Sequence, residues 1–86
     1  MTVRETRSFR GISERLTVRY LERLGGERVG DAAVAGDGWR AQFESATATV
    51  GPTLTLTEVT VTFEGEADVL EDLIREFSQK AMRAGG

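Results

Sequence analysis

Hydrophobic positions change their period along this chain, and the changes mark out its elements. The clearest run lies near the C-terminus. Leu70, Leu73, Ile74, Phe77, Ala81 and Ala84 recur at i, i+3, i+4, i+7, i+11 and i+14, one stripe on a helix of 3.6 residues per turn. The spacing predicts a helix over Asp68–Ala84. Asp68, Glu71 and Asp72 in its first turns and Lys80 and Arg83 in its last complement the macrodipole. Glu71/Arg75 and Glu76/Lys80 add i,i+4 pairs in the favourable order. Gly65 breaks the strand before it, and Gly85 is placed to take the left-handed conformation that closes it.

The N-terminal half opens with period two. Thr2–Arg10 reads as a strand with Val3 and Phe9 on one face; Arg7 shares that face, which suggests an edge position. After Gly11 the period returns to 3.6. Ser13 is a candidate N-cap, and Ile12, Leu16, Tyr20 and Leu24 follow at i, i+4, i+8 and i+12, ending at Gly25-Gly26.

Alternation then resumes. Glu27–Ala35 is a weak strand, and Gly36-Asp37-Gly38 carries the Asp-Gly signal of a tight primed hairpin turn. Trp39, Ala41 and Phe43 alternate with Arg40, Gln42 and Glu44 as a third strand. Ala46–Val50 reads as a short fourth, stopped at Gly51-Pro52. The last strand, Thr53–Phe63, has a phase problem. Leu54 and Leu56 are even, whereas Val59, Val61 and Phe63 are odd. A regular strand cannot aim both sets at one face, so a β-bulge is expected near Thr57-Glu58.

The order is β-α-β-β-β-β-α. Two amphipathic helices need one sheet face, and a hairpin-linked sheet can be antiparallel with its other face wet. The expected fold is an α+β two-layer sandwich: an antiparallel sheet of about five strands with two helices on one face. Residues 1–86 read as a single domain ending in a diglycine tail, Gly85-Gly86. A chain this size buries about 60–65% of its unfolded surface.

Composition removes most catalytic classes. The sequence holds no cysteine and no histidine, which excludes disulfides, thiolate nucleophiles, Cys- or His-type metal sites and Ser-His-Asp triads. No phosphate-binding glycine loop occurs, and acidic pairs such as Glu71-Asp72 and Glu64/Glu66 read as a solvated helix start and a turn. A non-enzymatic protein without a cofactor is expected. With no secretory or membrane-spanning run, a cytoplasmic location is the expectation.

The net charge of −3 hides an asymmetry, because eight of eleven basic residues precede Glu44. Mild acidity argues against broad nucleic-acid binding. Arg15, Arg19 and Arg23 stand at i, i+4 and i+8 on the first helix, a row of like charges that a partner's acidic surface, an RNA or a phosphate would relieve. The alternative is a solvated face whose arginine stems shield apolar surface. Trp39 and Tyr20 could line a ligand pocket between sheet and helix, though each is in phase with a core stripe. The terminal Gly85-Gly86 carries the sharpest chemistry. Lacking both β-carbons, it can thread a narrow channel where an adenylating enzyme activates the terminal carboxylate; helix termination alone would also account for it.

Three stretches carry a family resemblance: Phe9-Arg10-Gly11-Ile12-Ser13-Glu14-Arg15-Leu16, Tyr20-Leu21-Glu22-Arg23-Leu24-Gly25-Gly26-Glu27-Arg28 and Val50-Gly51-Pro52-Thr53-Leu54-Thr55-Leu56-Thr57. With the ending Lys80-Ala81-Met82-Arg83-Ala84-Gly85-Gly86, they make nearly the whole chain resemble the C-terminal domain of MoaD-related proteins. That domain can follow a β-grasp sulfur carrier of the molybdopterin-synthase type. The resemblance implies a TATA-binding-protein-like fold and a link to molybdopterin cofactor or sulfur-transfer metabolism. The diglycine is similar to that of small archaeal ubiquitin-like modifiers and sulfur carriers. It implies conjugation or activation at Gly85 and Gly86, with an adenylating, E1-like enzyme as partner. A second expectation is a binding module that docks on a separate β-grasp carrier or on molybdopterin synthase, with Arg15, Arg19 and Arg23 facing it. A third is a small apolar or phosphorylated ligand between the sheet and the C-terminal helix.

Overall fold

The computed structural model describes residues 1–85. Strand β1 (Thr2–Arg10) leads into helix α1 (Glu14–Arg23), then β2 (Glu27–Gly30), β3 (Ala33–Gly36), β4 (Trp39–Thr49), β5 (Thr55–Glu66) and helix α2 (Ala67–Gly85). The sheet is antiparallel in the order β1-β5-β4-β3-β2. α1 therefore carries the chain from one sheet edge to the other, and a meander of hairpins brings it back to pair with β1. The α+β architecture, its five strands and its element order agree with the sequence pattern.

Both helices pack on one sheet face, α2 through Leu70, Leu73, Phe77 and Ala81 and α1 through the buried Thr17 and Leu21, with Leu16, Tyr20 and Leu24 only partly buried beside them. Val34, Trp39, Ala41, Phe43, Val59, Val61 and Phe63 meet Leu21, Leu70, Leu73, Phe77 and Ala81 in a single core cluster. Phe77 is its pivot, with edge-on contacts to Phe9, Phe63 and Tyr20 at centroid distances of 4.9, 5.8 and 6.1 Å. Ser13 caps α1, its Oγ accepting from the Leu16 amide at 3.1 Å. The opposite face is a polar ladder. Arg4 opposes Glu64, Thr6 opposes Thr62, Ser8 opposes Thr60 and Arg10 opposes Glu58, and each couple is in hydrogen-bond contact. Such exposed ion pairs add only a few tenths of a kcal/mol each.

Several local expectations are corrected. Glu27–Ala35 is two strands, because Asp31-Ala32 turns the chain and the register slips between Arg28 and Gly30. Arg28 fastens that turn by donating to the Gly30 and Asp31 carbonyls at 3.0 and 2.7 Å. The expected third and fourth strands are one continuous strand, β4. No bulge interrupts β5 near Thr57-Glu58, since its register with β4 is unbroken from Gly65 to Thr55. The phase conflict is resolved by solvent instead. Val59, Val61 and Phe63 face the helices, while Leu54 and Leu56 lie on the far end of the β4–β5 hairpin, 56% and 36% exposed. That end extends beyond β1, whose pairing stops at Arg10↔Glu58.

The Asp37-Gly38 turn is real but not of the primed type with two positive φ angles. Gly38 has φ 82°, and no non-glycine residue has positive φ. The turn seats Trp39, whose indole lies flat against Gly36 so closely that a β-carbon there would overlap the ring. The first strand's expected edge position is correct, with Arg7 on the helix-side rim bonded to Glu5 at 3.0 Å.

Candidate functional site

Two groups of residues were candidates from sequence, and the structure treats them differently. The first is the end of α2. Its stripe packs on the sheet through Leu70, Leu73, Phe77 and Ala81, and Ala81 is the last buried side chain among the described residues. Met82 is 76% exposed and Arg83 is also exposed. The helix runs through Gly85. Gly85 therefore continues the helix rather than closing it in a left-handed cap, and α2 begins at Ala67, one residue earlier than expected. Gly86 lies outside the described residues.

The second group is the arginine row of α1. Arg15, Arg19 and Arg23 are all exposed. Among the described residues none of them enters an ion pair, whereas Arg4, Arg7, Arg10 and Arg75 each pair with a carboxylate. The row is not one site. Arg15 and Arg19 line a concavity of about 340 Å³ between α1 and the sheet, and Arg23 does not reach it. Its place is taken by Arg28 of β2. Sequence reasoning missed Arg28, because it lies beyond Gly25-Gly26 in a weak strand, and only the crossover of α1 to the far sheet edge sets it opposite Arg15 and Arg19. Val18, the buried Phe43, Glu14 and Glu22 also line this concavity. Glu14 is held by the Ser45 hydroxyl at 2.8 Å.

The remaining candidates resolve into core. Half-buried Tyr20 packs edge-on to Phe77 in the core, whereas Trp39, though buried, also forms part of the wall of a depression against α2. The depression beside Trp39 and α2, about 260 Å³, has Asp37, Asp72 and Glu76 in its lining; that acidity opposes a phosphorylated ligand. A larger concavity of about 490 Å³ lies against Gln42, Glu44, Thr60 and Thr62 on the polar sheet face.

Among the described residues there is no grouping of three or more Asp, Glu, His or Cys side chains that could hold a metal ion. No helix among the described residues is long and apolar enough to cross a membrane. The one displaced titration among the described residues is at the amino terminus. The Met1 ammonium donates to Glu66 at 2.8 Å, and that bond, then the attraction of the same carboxylate, raises its pKa above the ordinary 8.0.

No curated protein matches the chain. The model of a family described as archaeal MoaD-like protein matches residues 5–86. The match takes in every element of the fold, from within β1 to the terminal glycines, and the chain belongs to the archaeal MoaD-like protein family.

Proposed function

We propose that this protein is a sulfur carrier or ubiquitin-like modifier that works through the Gly86 carboxylate. The observation that carries this reading is the position of the last core anchor. Ala81 is the final buried side chain described, and five residues, Met82 to Gly86, follow it. Helix ends open at little cost, since each terminal residue exchanges about one marginal hydrogen bond for water. Gly85 lowers the cost further, as glycine is about 1 kcal/mol poorer than alanine in a helix. Opened, the five residues reach roughly 17 Å and present a diglycine with no side chain to obstruct a channel. The family match, which runs through both glycines, is consistent with this use.

The chemistry is supplied by an ATP-dependent adenylating enzyme. The Gly86 carboxylate attacks the α-phosphorus of ATP and pyrophosphate leaves, giving an acyl-adenylate. Hydrosulfide then adds to the acyl carbon and AMP leaves, giving a thiocarboxylate with one oxygen replaced by sulfur. Alternatively, a target lysine amine displaces AMP and forms an isopeptide bond. The domain itself performs neither step. Its part is to hold the helix end clear of the core and to be recognised.

The test is a host strain in which the Gly85-Gly86 deletion replaces the wild-type chain. Loss of conjugates and of thiocarboxylate, with wild-type thermal stability, is expected. Conjugates that persist in the deletion strain would overturn the reading and favour a docking role on a separate β-grasp carrier or molybdopterin synthase.

A further inference from the structure

We propose that the concavity between α1 and β2 is a docking site for an acidic segment of a protein partner, recognised by Arg15, Arg19 and Arg28. This site is independent of the terminal glycines. Three observations converge on it. The arginines line a single concavity although two come from a helix and one from the opposite sheet edge. None of the three enters an ion pair among the described residues, and three arginines against the two glutamates of the same lining leave the concavity an excess of positive charge; Arg28 is bonded to the Gly30 and Asp31 carbonyls. Carbonyls satisfy donors without cancelling charge, so Arg28 is held in place with three of its five N–H groups still to be used. Finally, Arg15 and Arg19 are i,i+4 neighbours whose repulsion an incoming carboxylate removes.

The pattern of charges selects the occupant. Arginine forks match carboxylate and phosphate alike. Here, however, Glu14 and Glu22 line the concavity together with the three arginines, and a uniformly anionic backbone would be repelled by both. No aromatic ring is exposed among the described residues to stack a base. A peptide with two adjacent carboxylates flanked by basic residues satisfies both arginines and glutamates. Placing like charges together rejects other arrangements, and Val18 and Phe43 give its backbone an apolar floor.

The test uses the isotopically labelled full chain, followed by NMR at the arginine Nε–H groups. The probes are a blocked Lys-Gly-Glu-Glu-Gly-Lys peptide, its charge-reversed counterpart Glu-Gly-Lys-Lys-Gly-Glu, inorganic phosphate and a short oligouridylate. The acidic-centred peptide should shift Arg15, Arg19 and Arg28 saturably, and the effect should weaken with salt. Arg19→Gln and Arg28→Gln should each weaken it by about tenfold, the loss of one charge-assisted bond. Arg28→Lys should weaken it less, and Arg23→Gln should leave it unchanged; Arg19→Gln and Arg23→Gln should retain the wild-type melting temperature, whereas the Arg28 variants should melt slightly lower as the Asp31-Ala32 turn loses its fastening. The proposal is overturned by absence of saturable shifts, by equal response to the charge-reversed peptide, by tighter binding of phosphate or oligouridylate, or by Arg23→Gln matching Arg28→Gln.

Discussion

Phe77→Leu should lower the melting temperature by about 8–32 °C, and the size of that drop tests how α2 is fastened to the sheet. Phe77 is fully buried and touches three rings edge-on, Phe9, Phe63 and Tyr20. The swap keeps an apolar side chain of similar size, so packing loss alone costs about 1 kcal/mol. Each edge-to-face pair adds about 0.5–1.5 kcal/mol beyond its area. Because the three share one ring and do not sum fully, the total is about 2–4 kcal/mol. A domain of this length loses about 4–8 °C per kcal/mol. It holds about 4–13 kcal/mol in all, so the variant should still fold in the cold. Phe43→Leu is the control: Phe43 is equally buried, and among the described residues it has no aromatic partner. It should melt about 4–8 °C below wild type by the packing loss alone. Calorimetry on the two variants isolates the ring contacts. If they melt within about 2 °C of each other, no more than the weakest single edge contact is worth by this conversion, the aromatic pivot is refuted.

Other outcomes follow from single contacts. Gly36→Ala drives a methyl group into the Trp39 indole and should cost about 1–3 kcal/mol, read as a lower melting temperature and a shifted tryptophan emission; a neutral result would mean the ring is not where it is described. Gly85→Ala should leave the melting temperature unchanged or slightly raised, because alanine is favoured in a helix; a drop in helicity would place Gly85 in a left-handed cap instead. The Met1–Glu66 contact raises the folded pKa of the amine. Its stabilisation is therefore fully present below the unfolded value, about pH 8, and is lost as pH rises through the raised folded value. The small difference between wild type and Glu66→Gln, measured by thermal melts across that window, should vanish on the alkaline side; a difference that grows there would contradict the sign.

Much of this fold could be read from periodicity because its strongest elements obey one local rule at a time. The stripe of α2, the alternation of Trp39, Ala41 and Phe43, and the Ser13 cap are all local signals, and each has its expected role. The failures share a different cause. The phase of Leu54 and Leu56 was read as a bulge on the premise that leucines must be buried. A hairpin that outruns its neighbours has no core to offer them, and strand length relative to β1 is not a local property. Likewise the turn at Asp31-Ala32 has no glycine at its two central positions and is fastened by the Arg28 side chain instead. The arginine-lined concavity was half legible. Helical spacing picked out Arg15 and Arg19, which line it, together with Arg23, which does not; Arg28, the third arginine of the lining, is set there by chain crossover and leaves no local signal. The diglycine was visible in sequence, while the position of the last core anchor, Ala81, came only from packing.

The central claim is that the Gly86 carboxylate is activated, and intact mass spectrometry tests it most directly. The chain ending at Gly86 is incubated with ATP, its host's adenylating enzyme and sulfide, beside a Gly85-Gly86 deletion and a genuine β-grasp carrier. The account predicts a mass gain equal to one oxygen exchanged for sulfur, present in the full chain and absent in the deletion. An unchanged mass, with the β-grasp carrier converting in the same tube, would contradict it.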